Sequence, residues 1–94
     1  MSRPVILGVP PFIRLNNGGD CNTLATTKGI YFHYLTGDVS NSPIGTGTSY
    51  LMVMTVCWAL SDQWQLACDI VSAKMWYRNK GSVNWGVWKL FATV

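Results

Sequence analysis

Few side chains in this 94-residue sequence could act as catalysts: there is one histidine, His33, and there are four aspartates and no glutamate. General acid–base catalysis needs a second group that orients the base or exchanges a proton with it, and no such partner stands at a recognised motif spacing from His33. Two carboxylates that cleave a sugar must face each other about 5–10 Å apart, and the sequence leaves Asp62 with Asp69 open as such a pair. The pattern favours a protein that is not an enzyme.

The side chains that bind metals do not form a ligand set within one chain. Cys21, Cys57 and Cys68 are odd in number and lack CxxC spacing, which argues against a zinc site and against a disulfide framework. A trimer could bring three copies of His33 onto one axis, but nothing in the sequence requires it. The glycine-rich stretch GTGTS, residues 45–49, lacks the lysine of a phosphate-binding loop. No metal and no cofactor is therefore predicted.

The composition describes a small domain with little charge. Half of the residues are hydrophobic (49%), 12% are charged, and the net charge is +3. The surface of a small domain is normally about 25–35% charged, so the shortage indicates that another chain covers part of this surface. A net charge this low is weak for a nucleic-acid-binding protein. The longest apolar run, residues 50–60, is about half of a membrane-spanning helix, and we expect no signal peptide at the N-terminus.

One stretch, KMWYRNKGSVNWGVWKLF (residues 74–91), combines large aromatic side chains with Lys, Arg and Asn. Such a stretch can stack nucleic-acid bases, bind sugars on tryptophan faces, or fill the interior of a β domain. We expect Tyr77 and Trp88 to lie in the core. Trp76 alternates with Lys74 and Arg78, so it is the better candidate for an exposed aromatic.

The remaining pattern predicts strands separated by turns. Residues 1–19 contain three prolines and end in NNGG, which is typical of an arm or linker before a domain at residues 20–94. Asp20 or Asn22 could cap a short helical turn. The stretch from Tyr50 to Trp58 is apolar on both faces and predicts a central strand, and residues 64–70 and 74–79 alternate with the period of a strand. The sequence predicts a mainly β fold: a small antiparallel domain of about five strands, as a compact sandwich or open barrel, with at most one short helix.

The order of several short motifs resembles the pyocin knob family, whose domains occur in the fibres of contractile pyocins and bacteriophage tails. The motifs run from about residue 20 to residue 91. The matching residues are Asp20, Asn22, Thr23, Gly29, Ile30, Tyr31, Tyr77, Arg78, Trp85, Trp88 and Lys89.

This resemblance implies a β-rich knob in a homotrimeric tail fibre, so its partners would be other fibre subunits. It also implies recognition of a bacterial surface glycan or lipopolysaccharide, or a structural role in the fibre. The location would be the virion, after assembly in the host cytoplasm, without nucleic-acid binding or membrane insertion. The family offers no catalytic residues to carry over.

Binding residues on such a tip are expected in loops and turns. The candidate ligand-binding residues are Trp76, Arg78, Asn79, Lys80, Asn84, Asp38 and Asn41. Two alternatives to a glycan-binding knob stay open: a β barrel that binds single-stranded nucleic acid, and a small glycan-cleaving enzyme.

Overall fold

The computed structural model describes residues 13–16, 18–45 and 48–91, and almost all of its regular structure is β. β-branched and aromatic residues, which favour extended backbone, are frequent in the longest strands. The described residues contain one short 3-10 turn, Cys21–Thr23, and seven strands. These are β1 (Ile13–Asn16), β2 (Gly29–Asp38), β3 (Thr48–Ala59), β4 (Asp62–Asp69), β5 (Met75–Gly81), β6 (Asn84–Trp85) and β7 (Lys89–Leu90).

The strands form one open sheet in the order β1-β2-β3-β4-β5-β6, and β7 pairs with β5 as well. Strands β2 to β5 make an antiparallel meander. Strand β1 runs parallel to β2 at one edge. The short strands β6 and β7 pair with different parts of β5 at the other edge. The centre of the sheet is therefore β3, as its apolar sequence predicts.

The two faces of the meander differ in what covers them. On one, which we call the covered face, side chains pack under the 3-10 turn, the β2–β3 connection and Trp88. The core cluster on this face is Cys21, Leu24, Leu35, Val39, Leu51, Val53 and Ala67. The alternate side chains point to the other face, the open face, where Met52, Trp58 and Trp64 are exposed in the single chain.

The mainly β, largely antiparallel fold predicted from the sequence is confirmed. The sheet is single and not closed, and it has more than the expected five strands because β1, β6 and β7 extend its edges. Strand β1 falls within residues 1–19, which the sequence assigns to an arm or linker, whereas residues 1–12 lie outside the described residues. Strand β2 continues to Asp38 and β3 begins at Thr48, so the connection between them lies within residues 39–47.

The structure reverses the orientation expected for β5. Arg78 is buried and Trp76 packs against the core, so both lie on the covered face, while Tyr77 lies on the other face, where its ring contacts Phe91. The expectation of a core Tyr77 and an exposed Trp76 was wrong. The physical reason is that the covered face accommodates the cation of Arg78 between two indole rings.

Candidate functional site

The most elaborate side-chain arrangement in the structure surrounds Arg78, which is only 4% exposed. Its Nε donates a 2.8 Å hydrogen bond to Gln65 Oε1. Its guanidinium carbon lies 4.1 Å from the centroid of the Trp85 ring and 4.3 Å from that of Trp88. Gly86 helps to place both indoles, because a Cβ there would lie 3.2 Å from a β5 carbonyl oxygen. We call Asp20, Gln65, Arg78, Trp85 and Trp88 the arginine cluster.

The two indoles of the arginine cluster are fixed by hydrogen bonds to distant segments. Trp85 Nε1 donates to the backbone oxygen of Asn22 at 3.2 Å, and Trp88 Nε1 donates to the backbone oxygen of Asn41 at 2.9 Å. These bonds tie the C-terminal segment to the 3-10 turn and to the β2–β3 connection. The indoles therefore close the covered face as well as stacking on the cation.

Asp20 anchors the same region from the N-terminal side. Its Oδ1 accepts hydrogen bonds from the backbone N–H of Asn22 at 2.9 Å and from Asn41 Nδ2 at 2.8 Å. Asp20 is the N-cap of the 3-10 turn, and is one of the two cap candidates, Asp20 and Asn22, that the sequence offers. One carboxylate thus holds together two segments that also receive the indole N–H groups.

Burial changes the acid–base behaviour of this cluster. Burial lowers the pKa of Arg78 to about 10, so its guanidinium stays charged at neutral pH. Burial also raises the pKa of the Cys21 thiol to about 12, although the charge of Arg78 opposes this. A thiol with so high a pKa is not a thiolate at neutral pH, and Cys21 is therefore a poor nucleophile.

The arginine cluster and its hydrogen-bond partner Asn22 include several of the residues on which the family resemblance depends. Asp20, Asn22, Arg78, Trp85 and Trp88 all take part in the contacts described above. Their indole N–H groups, the Asp20 carboxylate and Arg78 Nε bond to other groups of the chain, whereas Asn22 Oδ1 and Arg78 Nη2 are buried without a hydrogen-bond partner. These contacts stabilise the fold, and they occupy ring faces and polar atoms that a ligand would otherwise use.

A second set of side chains is available to a ligand at the end of the open face near the β3–β4 turn. A shallow groove of about 340 Å³ lies there. Trp58 is 69% exposed and Trp64 is 37% exposed, and both line it. We call this site the tryptophan groove; it is lined by Val56, Trp58, Asp62, Gln63, Trp64, Asn79, Lys80 and Gly81.

The sheet geometry explains how the tryptophan groove is formed. Trp64 lies between Val56 of β3 and Asn79 of β5 in the strand register. The register between β3 and β4 shifts around Trp58, and such a bulge redirects the side chain of the extra residue. The ammonium of Lys28 lies 4.1 Å from the centroid of the Trp58 ring, so this contact also orients the indole.

The predicted ligand-binding residues are divided among different environments. Asn79 and Lys80 line the tryptophan groove. Arg78 and Trp76 lie on the covered face, and Asn41 is bonded to Asp20. Two further candidates are exposed but lie outside the groove lining: Asn84 in β6, and Asp38 at the end of β2 far from the groove.

Sequence reasoning missed the two exposed indoles of the groove, Trp58 and Trp64. The sequence contains part of the information needed to identify these two tryptophans as exposed. The alternation of β4 shows that Trp64 shares a face with Leu66, yet it does not show which face is covered. Trp58 is the last aromatic residue of β3, and only the strand register reveals that it stands in a bulge.

The residues considered for catalysis are far apart or enclosed. Asp62 and Asp69 are the first and last residues of β4, so the strand rise separates them by roughly 23 Å, and they do not make a facing pair. His33 is buried on the covered face, and burial lowers its pKa. Within residues 13–16, 18–45 and 48–91, no group of three or more His, Cys, Asp and Glu side chains could hold a metal ion.

Comparison with known proteins identifies no relative of this chain. No protein-family model, no curated protein and no solved structure matches the chain. In the part of the chain that the structure describes, no helix has the length and hydrophobicity that a membrane span requires. The resemblance to the pyocin knob family therefore stays a prediction from the sequence.

Proposed function

We propose that this chain is a non-enzymatic knob domain of a bacteriophage or pyocin tail fibre that recognises a glycan on the bacterial surface. The observation that carries the proposal is the tryptophan groove, in which two exposed indoles stand beside amide and carboxylate side chains. The ordered motifs of the sequence supply the tail-fibre context. The lipopolysaccharide of the host is the corresponding receptor class.

The groove has the chemistry that sugar recognition needs. The apolar face of a pyranose ring stacks on an indole, and its hydroxyl groups exchange hydrogen bonds with amides and carboxylates. Trp58 and Trp64 offer the stacking surfaces, while Asn79 and Asp62 offer donors and acceptors at the border. The volume of about 340 Å³ is at the lower end of ligand pockets, which span about 300–1,000 Å³.

The knob would act as part of a larger assembly. Other fibre subunits, in a homotrimer, are its proposed partners, and the virion tail fibre is its proposed location after assembly in the host cytoplasm. The low charge of the chain, 12% of residues, supports a surface shared among subunits. The proposal includes no cofactor, no nucleic acid and no membrane insertion.

Single-stranded nucleic acid is the second candidate ligand, because the ammonium of Lys28 lies over the exposed Trp58 ring and Lys80 lines the same groove. Aromatic stacking and Lys contacts to phosphate are the means by which such proteins bind. This mode predicts that affinity falls steeply as salt is added. A glycan bound by stacking and neutral hydrogen bonds predicts little salt dependence.

The test is a glycan array with bacterial surface polysaccharides, followed by titration of the strongest ligand. We expect Trp58→Ala and Trp64→Ala each to weaken binding at least about tenfold, equivalent to ~1.4 kcal/mol. Val87→Ala is the control, because Val87 is exposed but lies outside the groove lining. The Val87→Ala variant should bind the glycan with the same affinity as the wild type.

Three results would contradict the proposal. The first is an array without signal, and the second is binding that both tryptophan variants retain. The third is salt-sensitive binding of a labelled single-stranded oligonucleotide that exceeds any glycan binding. Release of reducing ends from a bound polysaccharide would show that the glycan-cleaving alternative is correct instead.

A further inference from the structure

The middle of the open face is an uninterrupted apolar surface. A cavity of about 220 Å³ opens there between β2, β3, β4 and β5. We call the side chains around it the methionine patch: Phe32, Met52, Met54, Leu66, Cys68 and Met75. These residues face one another across neighbouring strands: Phe32 of β2 is paired with Met54 of β3, and Cys68 of β4 is paired with Met75 of β5.

Charge is confined to the border of this surface. Arg14 stands at the β1 edge over the ring of Tyr34, and Lys89 lies opposite Tyr77 at the other edge. Asp62 and Lys74 stand near opposite ends of β4. Because the border carries both positively and negatively charged side chains, two copies of the face can approach without repulsion between like charges along the whole border.

The open face is broad enough for a contact at the lower size limit of specific interfaces. Four strands about 4.8 Å apart and eight residues long span about 19 by 26 Å, or roughly 500 Å² on one copy. Two such faces together bury roughly 1,000 Å², which is the size at which specific interfaces begin. An isolated sheet with one apolar face also lacks the second layer against which such a face normally packs.

The sequence of β3 agrees with a covering layer on both sides. Its residues from Tyr50 to Trp58 are apolar at nearly every position, which is typical of a strand that is buried on both faces. In the single chain only the alternate positions Leu51, Val53, Thr55 and Cys57 are buried, while Met52 is 38% exposed. Something outside the described residues is therefore expected to cover Met52 and its neighbours.

We infer that a second copy of this chain covers the methionine patch, so that two open faces pack against each other. The apolar, uncharged centre is self-complementary, as a contact between identical faces requires. The tryptophan groove lies at the hairpin end of the same face and remains at the rim of the assembly. This inference does not rest on the glycan proposal, and because a contact between two identical faces has two-fold symmetry, the subunits of a fibre trimer would have to meet through other surfaces.

The N-terminal segment of the same chain is the rival occupant. Residues 1–12 include several apolar side chains. As a single extended strand, however, they would cover a strip only about 4.8 Å wide, which is about a quarter of the face. A second copy covers all of it, and this favours self-association over an intramolecular arm.

The first test measures molar mass by light scattering and sedimentation over a range of protein concentrations. We expect the wild type to form a dimer or a higher oligomer. Met52→Lys places an ammonium in the contact and should raise the dissociation constant at least about a hundredfold. Val83→Lys is the matched control, because Val83 is 76% exposed in the β5–β6 turn, and it should associate as the wild type does.

Thiol labelling gives a second readout that does not depend on Met52. Cys68 is half-buried in the patch, whereas Cys21 and Cys57 are buried on the covered face. Labelling of Cys68, located by mass spectrometry, should be slow in concentrated wild type and should accelerate on dilution. In Met52→Lys, which circular dichroism should show to be folded, labelling should be fast at both concentrations. Met75→Lys should behave in the same way.

Three outcomes would overturn the inference. A wild type that is monomeric at high micromolar concentration would exclude self-association. An oligomer that both lysine variants leave intact would place the contact elsewhere. If removal of residues 1–12 accelerates labelling of Cys68 while the molar mass per particle stays monomeric, the arm is the occupant.

Discussion

Arg78 and Gln65 form a hydrogen-bonded pair in the interior of the covered face, where Arg78 Nε donates to Gln65 Oε1 at 2.8 Å. Gln65 Nε2 in turn donates to the backbone oxygen of Cys21 and to Thr55 Oγ1. The pair therefore connects the central strands to the 3-10 turn. A series of hydrogen-bonded polar side chains, Arg78, Gln65 and Thr55, occupies a place that apolar side chains fill in most small β domains.

This chain of bonds leads to the first prediction. Replacing Arg78 by Met removes the cation from the indoles and leaves Gln65 Oε1 without its donor, so we expect a loss of about 2–3 kcal/mol in the free energy of unfolding. Replacing Gln65 by Met should cost a similar amount. The double variant should lose less than the sum, because the two residues act as one unit.

Chemical denaturation of the two single variants and the double variant measures this coupling. Lys74→Met is the matched control, because Lys74 is exposed just before β5 and outside the cluster, and its stability should stay within about 0.5 kcal/mol of the wild type. Additive costs for Arg78 and Gln65 would show that the hydrogen bond contributes nothing specific.

The second prediction concerns the carboxylate of Asp20, which accepts hydrogen bonds from Asn22 and Asn41. Asp20→Ala removes the cap and should reduce stability by about 1–2 kcal/mol. Asp20→Asn retains an oxygen acceptor and should recover most of this loss. Amide hydrogen exchange should rise in residues 38–45 of the alanine variant alone; equal exchange in both variants would contradict the role of Asp20 as an anchor.

The third prediction is a pH dependence that arises from His33. Burial lowers the pKa of His33 below its usual value of 6.5, so the unfolded chain binds a proton more readily than the folded chain does. Stability should therefore fall as the pH is lowered from 6.5, until the pH reaches the pKa of the folded state. His33→Leu should remove this loss between pH 6.5 and about 5, above the range in which carboxylates titrate.

Thermal unfolding at a series of pH values measures the effect, and an NMR titration of the imidazole measures its cause. An imidazole pKa at or above 6.5 in the folded protein would contradict the prediction. Equal losses of stability in the wild type and in His33→Leu between pH 6.5 and about 5 would also contradict it.

The fourth prediction concerns Lys28, whose ammonium stacks on the Trp58 ring at 4.1 Å. An exposed cation–π contact is worth about 0.5–1 kcal/mol, so Lys28→Gln should loosen the ring and weaken glycan binding about two- to fivefold. Lys74→Gln removes an exposed charge at the β4–β5 turn and serves as the control. Equal effects of the two variants in the glycan titration would indicate that total charge, and not the contact, matters.

Much of the fold could be predicted from the sequence because strand periods and turn residues are local signals. The apolar run of β3 indicated the central strand, and the alternation of residues 64–70 indicated β4. Asp20 was recognised as a cap candidate because its position relative to the turn is also local.

The orientation of the faces could not be predicted in the same way. Arg78 and Tyr77 alternate in β5, and propensity favours a buried tyrosine over a buried arginine. The outcome depends on Trp85 and Trp88, which approach Arg78 only after the C-terminal segment folds back. The same limitation hid the candidate site, because the exposure of Trp58 and Trp64 depends on which face the rest of the chain covers.

The central claim is that a glycan contacts the tryptophan groove while the arginine cluster remains closed in the interior. The most direct test follows the indole N–H signals of the five tryptophans by NMR during titration with the best-bound oligosaccharide from the array. The account predicts that the signals of Trp58 and Trp64 shift with saturation and that those of Trp85 and Trp88 stay in place. Shifts confined to Trp76, Trp85 and Trp88 would contradict it.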